Sequence, residues 1–227
     1  MKRDSLCFLA ALAWPLLVFS PHARCAEWTL AVVQKAPPSA LGESIAKTLQ
    51  PQAIQLLQSG APVMEFWFPT ELALAKAHDA SSKGLASLGS AGILGATVVH
   101  KDQRDYRDDE LFAGTYTMRM GLRPNDGNHL GSSEYLFFAV LTPAKLDTAV
   151  DQIKTYKELV KTSSQESSAD HPFILSLRPG TSDVGAFPRL NVPAEAHKSL
   201  LIKLPASFEG TTSSIVMDLV YEGVAEH

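Results

Sequence analysis

The chain has 227 residues, of which 45% are hydrophobic, and its 20 basic and 24 acidic residues give a formal charge of −4 at neutral pH. This length and hydrophobic content are sufficient for one sizeable core, and the absence of a basic run argues against a nucleic-acid partner. The only cysteines are Cys7 and Cys25, so no disulfide is expected within the chain beyond residue 26.

Residues 1–26 are predicted to be a signal peptide. Two basic residues precede the apolar run LCFLAALAWPLLVF, and small residues near Cys25 suit a signal peptidase. The run is shorter than the roughly 20 residues that a transmembrane helix needs, and Pro15 interrupts it. Cleavage after Cys25 or Ala26 leaves 17 basic and 23 acidic residues. We therefore expect a periplasmic or secreted protein without a transmembrane segment after signal cleavage.

Short apolar runs separated by Gly, Pro, Asn and Ser favour a mainly β fold from residue 27 onward. EWTLAVV is predicted as the first strand, and apolar residues four apart over 41–49 indicate a short helix that ends at Pro51. The runs AIQLLQ and PVMEFWF flank a short glycine-containing loop, which is typical of a hairpin. The apolar face of the second run is expected to point to the core: Met64, Phe66 and Phe68.

Further strands are predicted in the middle of the chain. ILGATVVH has a strand pattern, and the charged run KDQRDYRDDE is predicted to be a solvated connection. In GTYTMRMGL, Met118 and Met120 share one face and Arg119 lies on the other, as expected of a half-buried strand. PNDG then predicts a turn. EYLFFAVL is apolar on both faces and indicates a central strand that is covered on both sides.

The strongest helical pattern follows this strand. Thr142 suits an N-cap, Pro143 suits the first helical position, and an apolar stripe extends from Leu146 to Val160. We therefore expect a helical insertion near 143–162, followed by the strand-like runs PFILSLR, SLLIKLP and TSSIVMDLVY. Together the elements predict one domain over 27–227: an antiparallel β-sandwich, immunoglobulin-like or similar, with one longer helix packed on it.

The turn after the Met118–Met120 strand is the candidate ligand-binding site. Asp126, Asn128 and His129 offer carboxylate, amide and imidazole groups within a few residues, at the end of a strand where binding groups are often displayed. Glu134 is a candidate partner for His129, and Arg119 on the polar face of the strand completes the set. No nucleophile elbow, phosphate-binding loop, H-E-x-x-H or C-x-x-C motif occurs in the sequence. We therefore predict neither an enzymatic activity nor a defined cofactor.

A copper or other metal site is the alternative function. Met118 and Met120 project to the same side of one strand, roughly 6.6 Å apart from the usual rise per residue, and thioethers are soft ligands suited to Cu(I). His129 and Asp126 would be the further ligands of this metal ion. Core packing is the competing explanation for the two methionines, since they share their face with other apolar residues.

Two segments, PVMEFWFP and GTYTMRMGLRPNDGNHLGSSEYLFFAVLTP, resemble a family of uncharacterised exported bacterial proteins in which a G-x-Y-T-x-R strand leads to a D-G-x-H-x-G turn. The residues that carry the resemblance are Gly114, Tyr116, Thr117, Arg119, Asp126, Gly127, His129 and Gly131. The resemblance implies export and a β-rich fold. We therefore expect an exported, non-enzymatic binding or accessory protein of the cell envelope, whose partner is an envelope protein or a small ligand.

Overall fold

The computed structural model describes residues 27–79, 84–106, 108–122, 136–167, 171–180, 185–191 and 197–223, and this part of the chain is mainly β. The strands are β1 Trp28–Gln34, β2 Gln52–Gln58, β3 Ala61–Trp67, β4 Leu72–Ala73, β5 Ile93–Val99, β6 Gln103–Arg104, β7 Glu110–Leu111, β8 Gly114–Leu122, β9 Phe137–Pro143, β10 Phe173–Pro179, β11 Arg189–Asn191, β12 Lys198–Phe208 and β13 Thr211–Glu222. The helices are α1 Glu43–Ala46 and α2 Tyr156–Ser163, with short 3-10 turns at Leu85–Ser87 and Ser164–Glu166. The prediction of a β-rich chain is therefore confirmed.

Most of these strands belong to one sheet. Its order is β1-β2-β3-β5-β8-β9-β10-β13-β12-β11, and β4 joins it by pairing with β12. The pairings along this path are antiparallel, whereas β4 runs parallel to β12. β6 and β7 form a separate two-stranded sheet. A sandwich of two facing sheets is not confirmed by this topology, because the strands on the path form one continuous curled sheet.

The curled sheet encloses the main hydrophobic core. Core residues come from strands along its whole width, and they include Leu56, Phe66, Met118, Leu141 and Leu219. At the edge, Trp28 of β1 packs on Tyr221 of β13, with a ring-centroid distance of 4.9 Å. The first strand of the sheet therefore contacts a strand near the opposite end. Because the sheet curls until these two strands meet, its inner apolar face packs against itself and forms the core.

Segments outside the sheet cover part of its outer face. The α1 region contributes Leu41 and Leu49, which pack with Trp67 of β3, while Ile153 and Leu159 pack with Val140 of β9. Both faces of β9 are consequently buried, as its doubly apolar sequence predicted. The prediction that β8 is half-buried was wrong, because its polar face is also covered.

The predicted start of the longer helix, at Thr142 and Pro143, was wrong. Thr142 and Pro143 belong to β9, and α2 begins only at Tyr156. Thr155 is its N-cap: its side chain accepts a hydrogen bond from the Glu158 backbone, and the Glu158 carboxylate accepts one from the Thr155 backbone. This reciprocal capping box is encoded by Thr-x-x-Glu in TYKE, so the sequence did contain the correct start signal.

Several other elements lie where the sequence predicted them. β2 and β3 form the expected hairpin around Ser59 and Gly60, and α1 is a short helix before Pro51. The charged run 101–110 is only partly solvated, since Asp105 is buried and its carboxylate accepts backbone N–H groups of Asp109 and Ile174. Neither α1 nor α2 approaches the length and apolar character of a membrane span, and the same holds for the rest of the described chain.

Candidate ligand-binding cavity

A cavity of about 340 Å³ lies where β8 begins, β9 ends and β10 begins. These strand ends meet at one edge of the sheet because Tyr116 of β8 pairs with Pro143 of β9, and Phe173 of β10 pairs with Leu141 of β9. The volume is within the range of about 300–1,000 Å³ that is typical of small-molecule sites. A second cavity, between β2 and β12, is smaller at about 150 Å³. The larger cavity is therefore the candidate site.

Three aromatic side chains form its walls. Phe112 and Tyr116 each pack edge to face on Phe173, with ring-centroid distances of 6.2 and 6.1 Å and interplanar angles of 84° and 90°. Tyr116 and Phe173 are buried, whereas Phe112 is 36% exposed, so the cavity is open on the Phe112 side. A Cβ atom at Gly114 would lie 3.3 Å from Cε2 of Tyr116, and glycine at this position leaves the ring uncrowded.

The Tyr116 hydroxyl is a neutral group at the aromatic wall. Burial raises the pKa of Tyr116 to about 12, and the nearby negative charges of Glu166 and Asp102 act in the same direction. Its O–H group donates to the carbonyl oxygen of Phe112 at 2.9 Å. Because the proton is engaged in this bond, the oxygen offers a ligand its acceptor capacity rather than a free donor.

One ion pair lies at the rim of the cavity. Lys145 Nζ is 2.6 Å from Oε1 of Glu166, and the two side chains are 69% and 40% exposed. Exposed pairs of this kind contribute little net stability, about 0–1 kcal/mol, because solvent competes for both charges. A ligand that enters the cavity could therefore rearrange this pair at small cost. Lys145 and Glu166 are the charged members of the described lining.

Backbone N–H groups next to the cavity are already engaged. The N–H group of Ala113 donates to Oδ1 of Asp102 at 2.7 Å, and the N–H group of Ala144 donates to the carbonyl oxygen of Thr115 at 2.9 Å. The exposed carboxylate of Asp102 thus contacts the backbone of the lining residue Ala113. Its negative charge adds to that of Glu166 on this side of the sheet.

A second polar cluster surrounds the buried Glu65 of β3. The Lys35 ammonium group donates to both carboxylate oxygens, at 2.8 and 2.6 Å, and the Gln55 amide donates to one of them. His100 Nε2 lies 3.5 Å from Oε2. Burial acts to raise the pKa of Glu65, but the hydrogen bonds from Lys35 and Gln55 and the positive charges nearby lower it below the ordinary value of 4.5. The cluster is well satisfied, which fits a structural role.

The lowered pKa of Glu65 predicts a pH-dependent contribution to stability. Since the pKa is lower in the folded than in the unfolded state, ionised Glu65 stabilises the fold above pH 4.5, and the contribution is lost as the pH falls through the folded-state value. We expect Glu65→Gln to lower the free energy of unfolding by about 1–2 kcal/mol at neutral pH, and this deficit to shrink in acid. Urea denaturation across the pH range measures it, with the exposed Glu27→Gln as control. A deficit that does not change with pH would contradict the prediction.

The predicted metal ligands Met118 and Met120 lie in the hydrophobic core. Met118 and Met120 belong to the main hydrophobic core and are almost fully buried. Their packing against other apolar side chains accounts for their position without a metal ion. Asp126, Asn128, His129 and Glu134 lie outside the described residues, so the metal hypothesis stays a prediction about that turn. Within the described ranges, no group of three or more His, Cys, Asp or Glu side chains is arranged to hold a metal ion.

Arg119 does not lie on a solvent-facing strand surface as predicted. It is 1% exposed and forms an ion pair with Asp147, which is completely buried. Its Nε and Nη2 atoms donate to the two carboxylate oxygens at 2.7 and 2.8 Å. Its Nη atoms also donate to the carbonyl oxygens of Ala91, Ile153, Ala149 and Val150. All five N–H groups are thus engaged, and Arg119 anchors the 144–155 loop to the sheet.

Comparison with protein-family models, with curated proteins and with solved structures gives no match to this chain. The cavity is therefore the feature of the described structure that points to a function. The fold and the cavity together define a β-rich protein with a small cavity, partly lined by aromatic side chains, where the ends of β8, β9 and β10 meet in a curled sheet.

Sequence reasoning did not find this cavity. The pattern around Tyr116 indicates a strand and carries part of the family resemblance, but no motif marks a cavity there, and Phe112, Phe173, Lys145 and Glu166 belong to no recognisable motif. Phe112 and Phe173 are 61 positions apart in the sequence, and the register of β8, β9 and β10 brings them together. One local signal is present: Gly114 lies in a strand two residues before Tyr116, and a glycine in a strand often marks a site where a ligand or another backbone approaches closely.

Proposed function

We propose that the protein is an exported, non-enzymatic binding protein of the cell envelope that holds a small ligand with an apolar or aromatic group in the cavity at the start of β8. The observation that carries the proposal is the cavity of about 340 Å³ walled by Phe112, Tyr116 and Phe173. Aromatic walls with a few placed polar groups are typical of small-molecule sites. The neutral Tyr116 hydroxyl and the Lys145–Glu166 pair supply those polar groups.

A fluorescent probe tests the binding function directly. N-phenyl-1-naphthylamine is uncharged and aromatic, and its emission rises when it leaves water for an apolar site. We expect saturable binding to the unmodified protein and at least about tenfold weaker binding to Ala113→Trp, since the exposed Ala113 lines the cavity and an indole would fill it. Fluorescence titration gives both dissociation constants.

The matched control for this titration is Ala36→Trp. Ala36 is also exposed but does not line the cavity, so this variant should bind the probe as the unmodified protein does. Thermal unfolding of both variants verifies that they are folded. Probe binding that is absent, or that survives unchanged in Ala113→Trp, would rule out this cavity as the ligand site.

Export is the second component of the proposal. It is supported by the basic start, the apolar run and the small residues of the first 26 positions, and by the resemblance of GTYTMRMGL and its flanking turn to exported proteins. We expect mass spectrometry of the protein from its native envelope to show a mature start at Ala26 or Glu27. Accumulation of an intact Met1 form in the cytoplasm would contradict export.

A further inference from the structure

The charges around the cavity are not balanced. Lys145 and Glu166 neutralise each other at the rim, and the exposed Asp102, which accepts a hydrogen bond from the Ala113 backbone, adds a further carboxylate. The hydrogen-bond partner of Asp102 at this point is a neutral backbone N–H group. These three charged groups therefore hold one more negative than positive charge, and the local potential favours a positively charged ligand.

The hydrogen-bonding groups of the cavity favour the same sign. An anionic ligand would require free donors, but the N–H groups of Ala113 and Ala144 and the hydroxyl proton of Tyr116 are all engaged. The donors that remain on the described lining side chains are the Thr115 hydroxyl and Lys145, and Lys145 is paired with Glu166. A cation needs no donor, and the negative Glu166 carboxylate and the lone pairs of the Tyr116 hydroxyl attract its positive charge.

The aromatic walls add a third contribution. The face of an aromatic ring carries partial negative charge and attracts organic cations, which is why aromatic cages bind quaternary ammonium groups. Phe112 and Tyr116 both stand nearly perpendicular to Phe173, and Phe112 is the most exposed of the three rings. An apolar substituent on the cation would be buried against the same rings.

We infer that the cavity selects an organic cation, an ammonium group with an apolar or aromatic substituent, and that Glu166 and Asp102 determine this selectivity. The inference rests on the proposed ligand-binding function and specifies its ligand class. Lys145 opposes the binding of such a cation, because its ammonium group occupies Glu166 and repels a second positive charge. This assigns opposite effects to the two members of the rim pair.

Three ligands of nearly equal shape separate charge from size. Phenyltrimethylammonium is the cation, tert-butylbenzene is its uncharged analogue, and benzenesulfonate is an anion of similar outline. Each is titrated against protein loaded with N-phenyl-1-naphthylamine, and displacement of the probe is followed by fluorescence. We expect the cation to displace the probe at a concentration at least about threefold lower than either of the other two ligands.

Two variants test which groups set the selectivity. Glu166→Gln should weaken phenyltrimethylammonium binding by about threefold or more, and Lys145→Met should strengthen it by a similar factor. Neither change should alter tert-butylbenzene binding beyond twofold, which separates a charge effect from a change of cavity shape. The control pair Lys198→Met and Glu222→Gln alters another ion pair, on β12 and β13, that does not line the cavity, and should leave all three ligands unaffected.

The outcomes distinguish this inference from the proposed function. Equal displacement by tert-butylbenzene and the cation, tighter binding of benzenesulfonate, or no displacement by the cation would overturn the inference, while probe binding would still support a ligand-binding protein. Weaker cation binding in Lys145→Met would also overturn it. Failure of the probe itself to bind would remove both the inference and the proposed function.

Discussion

Replacing Asp147 with asparagine is expected to lower the free energy of unfolding by about 3–5 kcal/mol, the cost of leaving one member of a buried ion pair without its partner. The Asp147 carboxylate accepts hydrogen bonds from Nε and Nη2 of Arg119, and it also accepts one from the Thr117 hydroxyl group at 2.5 Å. Asparagine keeps the shape of the side chain but removes its charge. The buried guanidinium of Arg119 would then be uncompensated in a site that excludes water.

Chemical denaturation followed by circular dichroism measures this loss. Asp151→Asn is the matched control, because Asp151 lies in the same loop but is exposed, and its replacement should change stability by less than about 0.5 kcal/mol. Equal stability of Asp147→Asn and Asp151→Asn would show that the pair does not anchor the loop.

Ile153→Asp is the second change with a large expected effect. Ile153 is buried in the cluster that joins the 144–155 loop and α2 to the outer face of β9 and β10. A carboxylate at this position would be buried among apolar side chains without a cationic partner, because the nearby Arg119 is fully engaged with Asp147 and backbone carbonyls. We expect a loss of several kcal/mol in the free energy of unfolding, of the order of 3 kcal/mol or more.

The control for Ile153→Asp introduces the same side chain nearby. Lys157 is exposed in the first turn of α2, where an acidic residue is favoured by the helix dipole, so Lys157→Asp should be nearly neutral. Thermal unfolding compares the two variants under the same conditions. A midpoint for Ile153→Asp equal to that of Lys157→Asp would mean that the loop packs only loosely on the sheet.

Local patterns in the sequence predicted the strands well. The β2–β3 hairpin and the doubly buried β9 lie where alternation and glycine-containing turns placed them, because these signals depend only on neighbouring residues. The helix was predicted to begin too early because the apolar stripe from Leu146 to Val160 matches a helical period from its first residue. In the structure residues 146–150 are not helical, and the carbonyl oxygens of Ala149 and Val150 accept hydrogen bonds from the Arg119 side chain.

The sequence by itself determined the β-rich class of the protein and the positions of its main strands. The order of the strands, the curl of the sheet, the burial of Arg119 with Asp147 and the cavity at Phe112 and Phe173 were decided only by the tertiary structure. The physical reason is the distance along the chain over which each kind of interaction acts. Alternation and turn chemistry act within a few residues, whereas ion pairs, aromatic contacts and cavities depend on which distant strand ends the hydrogen-bond register brings together.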